Sequence, residues 1–161
     1  MSLETIFADL SHFGLIRISG DEAQQFLNGQ LSCDVNSLEP LHARYGSYST
    51  PKGRMLASFL LWREAGFFFM QLPASVRVAT QKRLAMFILR SKVKAEDASG
   101  AHVMLGVAGK DAGAILTPLF AELPAEPLAL TCAEGASLLR LSADRYQIIA
   151  SLARAPALRD A

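Results

Sequence analysis

Alternating and helical spacings of apolar residues divide this chain into short strands interspersed with helices. Apolar or alternating runs bounded by turn residues predict strands at 14–18, 44–49, 54–62, 67–72, 92–97, 102–107, 128–132, 137–141 and 146–150. Apolar residues three and four positions apart predict helices after Asp21, Pro73 and Gly109. Gln24, three residues after Asp21, also predicts a capping box at the first helix.

Two further features of the pattern decide the fold class. The strand at 54–62 is apolar on both faces, which indicates a central strand. Hairpins with helices between them favour an α+β fold of antiparallel sheets with flanking helices over a doubly wound parallel sheet. A change in composition near 97–100 predicts two subdomains, residues 1–98 with the hairpin and residues 99–161 with a second α+β arrangement.

Composition is that of an ordinary globular protein. The 161 residues are 51% hydrophobic and 19% charged, which excludes a disordered chain and allows a sizeable core. Two cysteines, Cys33 and Cys132, cannot form a disulfide framework, which is typical of a reducing compartment. There is no apolar run of about 18 residues and no secretory leader, so we expect a cytoplasmic protein without a membrane partner.

The net charge of +1 conceals an uneven distribution. Residues 40–95 contain ten of the sixteen cations and a single acid, Glu64, whereas the rest of the chain has six cations and fourteen acids. Cations that converge on one surface would create a positive field. The alternative is that they lie on separate solvated faces and are neutralised by acids from elsewhere in the fold.

Motifs for metal or nucleophilic chemistry are missing from the sequence. His12, His42 and His102 have no spacing typical of a metal site, and there is no Cys-x-x-Cys pair or G-x-S-x-G elbow. The stretch GVAGKD at 106–111 has the wrong spacing for a phosphate-binding Walker loop. We therefore predict no catalytic residue and no metal ligand.

The stretch STPKGR at 49–54 lies between two predicted strands. Pro51 and Gly53 explain a turn. Two long cations, Lys52 and Arg54, flank the glycine, and a hairpin does not need them in order to fold. They are either ordinary charges on a solvated turn or a cationic tip that binds an acidic ligand.

Four blocks of sequence occur in a particular order: FLNGQLSCDVNSL at 26–38, YSTPKGRMLASFLL at 48–61, RSKVKAED at 90–97 and LGVAGKDAGAIL at 105–116. In this order, and with similar gaps, the blocks resemble the folate-binding YgfZ family. That family is related to the T protein of the glycine cleavage system, an aminomethyltransferase. The resemblance extends from about Leu10 to Ala150 and rests on the ordered set, since no single block is specific.

The resemblance implies several α+β subdomains around a central channel that holds tetrahydrofolate or another reduced folate. It also implies that this chain is about the first half of the usual protein, with an incomplete second subdomain. The family's Lys-Gly-Cys-Tyr-x-Gly-Gln-Glu segment and its C-terminal barrel domain do not occur in the sequence. The role of the family's cysteine is therefore transferred to neither Cys33 nor Cys132.

The resemblance also bears on catalysis. The T protein has a pair of aspartates in the strand after this hairpin, and alignment on Gly53 puts that pair at Ala57 and Ser58. Neither residue can act as a carboxylate base. The resemblance implies a folate-binding protein without aminomethyl transfer. Its partners would be iron–sulfur proteins or tRNA-modifying enzymes, to which YgfZ-like proteins are linked.

Candidate contacts with a folate come from the same resemblance. Lys52 and Arg54 could bind the carboxylates of a glutamate tail, where arginine can make two parallel hydrogen bonds. Phe13 falls at a family position that carries an aromatic residue against the pterin, and the alternative is a core residue.

Three polar residues complete the candidate site. Asn28 and Gln30 could hydrogen-bond the edge of a heterocycle, or they could cap their helix. Asp34 could bind a pterin amide, or it could cap the next turn.

Three functions compete. The first is a folate-binding accessory protein that supports iron–sulfur enzymes and tRNA modification. The second is an aminomethyltransferase of the T-protein type, against which Ala57 and Ser58 argue. The third is a nucleic-acid-binding module that uses the basic segment 40–95 on a molecule such as tRNA, with an affinity that falls steeply with salt.

Overall fold

The computed structural model describes residues 4–160, which form two compact units. One of them, the hairpin unit, is His12–Ser99, and the second unit joins residues 4–11 to residues 100–160. This division differs from the predicted subdomains 1–98 and 99–161 at the start of the chain. The difference arises because the first strand pairs with a strand of the second unit.

Within residues 4–160, hairpins and helices follow one another in the predicted order. The strands are β1 (Ile6–Asp9), β2 (Phe13–Ser19), β3 (Ala43–Ser49), β4 (Met55–Glu64), β5 (Phe67–Pro73), β6 (Lys94–Asp97), β7 (His102–Ala108), β8 (Leu130–Ala133), β9 (Ala136–Ser142) and β10 (Arg145–Ser151). The helices are α1 (Ala23–Gln30), α2 (Ala74–Ile88), α3 (Ala112–Phe120) and α4 (Ala155–Arg159), with a 3₁₀ turn at Ser99–Ala101. None of these helices is both long enough and apolar enough to cross a membrane.

The hairpin unit contains one antiparallel sheet with the strand order β3-β4-β5-β2-β6. β4 lies between β3 and β5, as its two apolar faces predict. Turns connect β3 to β4 and β4 to β5, whereas α1 and α2 each connect strands that are not neighbours in the sheet. The prediction of an α+β fold with antiparallel sheets and flanking helices is confirmed.

One face of β4 supplies the centre of the core in the hairpin unit. Its alternate residues Ala57, Phe59 and Leu61 are buried in one cluster. The same cluster includes Leu27 of α1 and Leu84 of α2. Burial of each large apolar side chain contributes about 1.5–3 kcal/mol, so this cluster fixes the β3–β4 hairpin against the two helices.

The loop before β3 packs closely on that strand. The Ser32 N–H donates to the Ser47 carbonyl at 3.0 Å, and the Ser32 hydroxyl accepts from the Ser47 N–H at 2.8 Å. A Cβ atom at Gly46 would lie 2.7 Å from the Phe59 ring and 3.0 Å from the Cys33 thiol. Since real Cβ atoms do not approach so closely, the absence of a side chain at Gly46 allows the loop and the core to meet there.

The start of α1 differs from the prediction. The helix begins at Ala23, and no side-chain hydrogen bond caps it at Glu22, so the predicted capping box is wrong. The Gln24 amide instead donates to the Asn36 side chain at 3.4 Å and accepts from Arg63 at 3.3 Å. Hydrogen bonds with residues distant in sequence thus occupy the Gln24 side chain, which would otherwise have completed the capping box.

The helix α2 follows Pro73, as predicted, but it ends at Ile88 rather than near Arg90. The chain turns there, since the Ile88 carbonyl accepts the Ser91 N–H at 2.8 Å. Leu89 has φ 48° and ψ −110°, close to the angles of the first central residue of a type II′ turn, a position that favours glycine. This leucine is nevertheless 85% exposed.

The second unit is built on an antiparallel sheet with the strand order β1-β7-β10-β9-β8. Its core joins Ile148 of β10 to Leu116 of α3 and Leu158 of α4. β1 was not predicted, because its four residues are all exposed and form too short a pattern. Pairing with β7 in the register Ile6 to Ala108 makes it a strand.

We expect Gly46→Ala to lower the free energy of unfolding by about 1–3 kcal/mol, because overpacking a filled site costs that much. Gly29→Ala is the control, since no atom lies within 4 Å of a Cβ at that position in α1. Alanine in a helix should leave stability unchanged or slightly higher. Urea titration followed by circular dichroism measures both variants, and equal stabilities would contradict the close packing at Gly46.

We expect Leu89→Gly to raise the free energy of unfolding by up to about 1 kcal/mol, because glycine adopts a positive φ without steric strain. Leu152 is the matched control, since it is also exposed and its φ is not positive. Leu152→Gly should lower stability by about 0.4–1 kcal/mol, because glycine increases the entropy of the unfolded chain. Thermal unfolding measures the stability of both variants. A similar loss of stability in Leu89→Gly and Leu152→Gly would rule out strain at Leu89.

Candidate functional site

The turn between β3 and β4 is closed by its own backbone. The Thr50 N–H donates to the Arg54 carbonyl at 2.8 Å, and the Arg54 N–H donates to the Thr50 hydroxyl at 3.2 Å. The Gly53 N–H donates to the Thr50 carbonyl at 2.8 Å, and φ at Gly53 is +80°, which favours glycine. The turn therefore forms without the side chains of its two cations.

Both cations of the turn, Lys52 and Arg54, are exposed. Neither side chain makes a hydrogen bond or an ion pair with any residue in 4–160. Their charges are available to an acidic ligand. The choice between a solvated turn and a binding tip stays a prediction.

The two faces of β4 differ beside this turn. Ala57 is buried in the core, whereas Ser58 is exposed on the opposite face and pairs with Ser47 of β3. Tyr45 shares that face by alternation and is 62% exposed. Of the two positions aligned with the aspartate pair, Ser58 is the accessible one, and it offers a hydroxyl. Tyr45 was not among the predicted site residues. Its place two residues before Ser47 in β3, which puts both side chains on the same face, is visible in the sequence.

Asn28 holds the loop that follows α1. Its side-chain oxygen accepts the Val35 N–H at 2.9 Å and the Asn36 N–H at 3.4 Å. Gln30, at the end of the same helix, is half-buried, and its side chain makes no hydrogen bond within the described residues. Asn28 therefore anchors a loop through its side-chain oxygen, whereas the whole side-chain amide of Gln30 is without a hydrogen bond in residues 4–160.

Asp34 caps the turn that follows it. Its carboxylate accepts the Asn36 N–H at 3.1 Å and the Ser37 N–H at 3.4 Å. The Arg44 guanidinium donates to the Asp34 carbonyl at 2.8 Å and to the Ser37 hydroxyl at 2.9 Å. Hydrogen bonding with the Ser37 side chain, and then with the backbone of the turn, holds the pKa of the exposed Asp34 carboxyl below its usual value.

Phe13 begins β2, where it pairs with Pro73 of β5. Its ring is half-buried, and its centroid lies 4.2 Å from that of His12. The six predicted residues thus lie in three places: the hairpin tip, the end of α1 with its loop, and the start of β2. Among the residues in 4–160, no hydrogen bond, ion pair or ring contact joins these three places.

Acids on β6 neutralise part of the basic segment. Arg77 lies 3.2 Å from the Asp97 carboxylate, and Lys94 lies 3.5 Å from that of Glu96. Arg17, which precedes the segment, donates to Glu96 at 2.8 Å. Glu96 and Asp97 lie just outside the basic segment 40–95. These two acids therefore neutralise part of the positive charge of that segment.

Five exposed cations of the segment keep no acidic partner in the part of the chain that the structure describes. They are Lys52, Arg54, Lys82, Arg90 and Lys92. Two lie at the hairpin tip, and three lie on or just beyond α2. The prediction that cations are spread over separate faces therefore describes the segment better than a single continuous basic surface.

The pKa shifts on β6 follow from these contacts. The hydrogen bond from Arg17 holds the pKa of Glu96 below its usual value, and the charge of Lys94 adds to the effect. Partial burial raises the pKa of Asp97, but hydrogen bonds from Ser99 and the charge of Arg77 outweigh it, so the net shift is downward. Both carboxylates are ionised near neutral pH.

The two cysteines are free thiols. Burial raises the pKa of Cys33, which disfavours its thiolate. Within residues 4–160, no three histidine, cysteine, aspartate or glutamate side chains come together as ligands for a metal ion.

The sequence matches the family described as the GCVT N-terminal domain over residues 4–151. The "tRNA-modifying protein YgfZ" of Colwellia psychrerythraea is 31% identical over 91% of this chain and 45% of its own length. The protein of the same name from Klebsiella pneumoniae is 30% identical over 94% of this chain and 47% of its own length. The chain thus spans about half the length of the curated relatives it matches.

Two solved structures share the fold. The glycine cleavage system aminomethyltransferase T of Bartonella henselae superimposes with a TM-score of 0.85 at 23% identity, over 99% of this chain and 45% of that one. A chain of the heterotetrameric sarcosine oxidase of Corynebacterium gives a TM-score of 0.61 at 10% identity, over 94% of this chain and 78% of its own. At these identities the likeness concerns the fold alone.

Replacing Glu96 by glutamine should make the stability of the fold less dependent on pH in the acidic range. Because the folded-state pKa of Glu96 is lowered, its carboxylate stabilises the fold at neutral pH, and this contribution is lost as the pH falls below the usual value of 4.5. Urea midpoints measured from about pH 7 to about pH 3 should therefore fall less steeply for Glu96→Gln than for the wild type. Glu134→Gln, at an exposed acid of the second unit, is the control and should follow the wild type. Parallel curves for all three proteins would contradict the stabilising role of Glu96.

Proposed function

The chain belongs to the family of GCVT N-terminal domains, and on that premise we propose that it binds tetrahydrofolate or another reduced folate as an accessory protein for iron–sulfur enzymes, including those that modify tRNA. The observation that carries the proposal is the β3–β4 hairpin. Its tip presents two cations without a partner in residues 4–160, and the strand that follows has no carboxylate at the two positions that the resemblance matches to the aspartates of the T protein.

The hairpin residues fit a flat, acidic ligand. The glutamate tail of a reduced folate carries carboxylates, for which Lys52 and Arg54 are suitable partners. On the sheet face beside the turn, the exposed ring of Tyr45 offers a stacking surface, and the hydroxyls of Ser47 and Ser58 offer hydrogen bonds. A folate would supply a one-carbon carrier, and these side chains would bind and orient it.

The same strand argues against aminomethyl transfer. Ala57 is a buried core residue, and Ser58, although exposed, has no carboxylate to accept a proton. Binding of the cofactor without the transfer reaction is the role that this pair of residues favours.

The names of the relatives supply the physiological context. The curated relatives are called tRNA-modifying proteins. Iron–sulfur proteins and tRNA-modifying enzymes of the cytoplasm are the partners that we propose for this chain. Direct use of the basic segment on tRNA is less favoured, because its unpaired cations fall into two separate groups rather than one track for a phosphate backbone.

Calorimetric titration with tetrahydrofolate tests the proposal directly. We expect saturable binding that is tighter for tetrahydrofolate pentaglutamate than for the monoglutamate, because additional carboxylates can contact the hairpin tip. Charge reversal in the double variant Lys52→Glu, Arg54→Glu should weaken binding of the pentaglutamate by about threefold to tenfold, as expected for exposed ion pairs. The same double variant should weaken binding of the monoglutamate by a smaller factor.

Lys110→Glu is the control for this experiment, because it reverses an exposed charge in the second unit. It should leave both affinities unchanged. If the hairpin variant and the control variant weaken folate binding equally, the effect comes from net charge. The hairpin would then not be part of the folate-binding site. No heat with either folate at millimolar concentration would overturn the proposed function of this chain.

A further inference from the structure

The outer side of α2 is an exposed surface that is mostly apolar. Five residues of α2 at intervals of three and four positions, together with the residue just beyond its end, define this surface, here called the α2 ridge: Val78, Ala79, Lys82, Ala85, Met86 and Leu89. All six are exposed, Met86 by 68% and Leu89 by 85% of their surfaces. A surface helix ordinarily carries polar and charged residues on its solvent side. The ridge instead shows the spacing of a helix that packs against another helix.

The composition of the ridge suits close contact with a second helix. Ala79 and Ala85 allow two backbones to approach, and Val78, Met86 and Leu89 provide apolar side chains along the seam. α2 already buries Thr80 and Leu84 on its inner side, so the ridge is a second packing face of the same helix.

Leu89 is held in place by the strained turn at the end of α2. Its φ of 48° belongs to a position that favours glycine, and its side chain gains almost no burial in return. Next to it is an open depression of about 580 Å³, lined by Glu22, Leu89, Arg90 and Ser91. A costly backbone conformation that projects an apolar side chain beside a depression is expected where that side chain meets a partner.

The charge around the ridge identifies the kind of partner. Lys82 lies in the ridge, and Arg90 and Lys92 follow it, all exposed and without an acidic partner in residues 4–160. No acid occurs within α2. The acid at the depression, Glu22, accepts a hydrogen bond from the backbone N–H of Lys92 at 2.6 Å. The surface is therefore apolar along its centre and positive along its flank and end.

We propose that the α2 ridge is a docking site for an amphipathic helix of a partner protein, one with an apolar stripe flanked by acidic residues. A second copy of this chain would place Lys82 and its neighbouring cations against their own copies, which is unfavourable. Nucleic acid would require more cations along the helix and would leave the apolar residues without contacts.

Fluorescence anisotropy with a labelled helical peptide tests the proposal on the whole chain. The probe has three heptads with leucine at the a and d positions and glutamate at the e and g positions. The comparison peptide has lysine in place of each glutamate. We expect saturable binding of the acidic peptide and at least tenfold weaker binding of the basic one.

Variants of the α2 ridge test whether the peptide binds at this surface. Met86→Glu should weaken binding of the acidic peptide by at least about tenfold, because it loses an apolar contact and adds a like charge. Lys82→Glu should weaken it by about threefold, as expected for one exposed ion pair. Leu89→Gly should also weaken binding while the melting temperature stays the same or rises, which separates loss of contact from unfolding. Leu152→Glu, which adds the same charge at an exposed leucine of the second unit, should bind as the wild type does.

Three outcomes would overturn the proposal. The first is no binding of the acidic peptide, or binding that is equal in Met86→Glu and the wild type. The second is a concentration-dependent dimer, seen by sedimentation and abolished by Met86→Glu, which would make the ridge a self-association surface. The third is Met86-dependent binding to vesicles of phosphatidylglycerol and phosphatidylcholine together with failure of the peptide, which would make it a membrane-binding face.

Discussion

Burial of one face of β4 against α1 and α2 is the constraint on which the hairpin unit depends. Ala57, Phe59 and Leu61 occupy that face, and strand alternation then requires Ser58 to point the other way. The same packing holds the β3–β4 turn at the end of a two-stranded ribbon, where its cations have no partner among residues 4–160. The exposed Ser58 beside the turn and the cationic tip are therefore consequences of the core, and a change that loosened the core would displace both.

Much of the fold follows from local patterns, because hairpins, central strands and amphipathic helices each have a characteristic spacing. What could not be predicted depends on distant partners. Gln24 has the sequence position of a capping residue, but Asn36 and Arg63 bind its side chain. β1 is a strand only because β7 is available to pair with it. In the candidate site, Asn28 was identified as a polar residue with a specific role, but its partner, the backbone at Val35 and Asn36, could not be inferred from spacing.

The proposed function would separate a shared scaffold from the chemistry of one of its relatives. The fold of the aminomethyltransferase T protein is retained over nearly the whole of this chain, and alanine and serine occupy the positions that the resemblance, aligned on Gly53, matches to an aspartate pair. Ala57 is compatible with the buried face of β4, where a carboxylate would be costly without a partner. Ser58 keeps a polar group at the exposed position of the opposite face, next to the turn, at a lower cost in solvation than a buried carboxylate. Under the proposed function, such a replacement would leave the packing of the strand intact while removing proton transfer.

The pairing of β1 with β7 has a consequence for the order in which the chain is completed. All strand pairings of the hairpin unit are internal to His12–Ser99, and this entire span separates Ile6 from its partner Ala108. During synthesis, β1 leaves the ribosome before the hairpin unit and must wait until β7 has also emerged. Until then the exposed apolar side chains of Ile6 and Phe7 have no sheet to join, and closing so long a loop carries an entropic cost. β1 is therefore made before the hairpin unit but can be ordered only after that unit has been made, and along the chain the hairpin unit is inserted within the second unit.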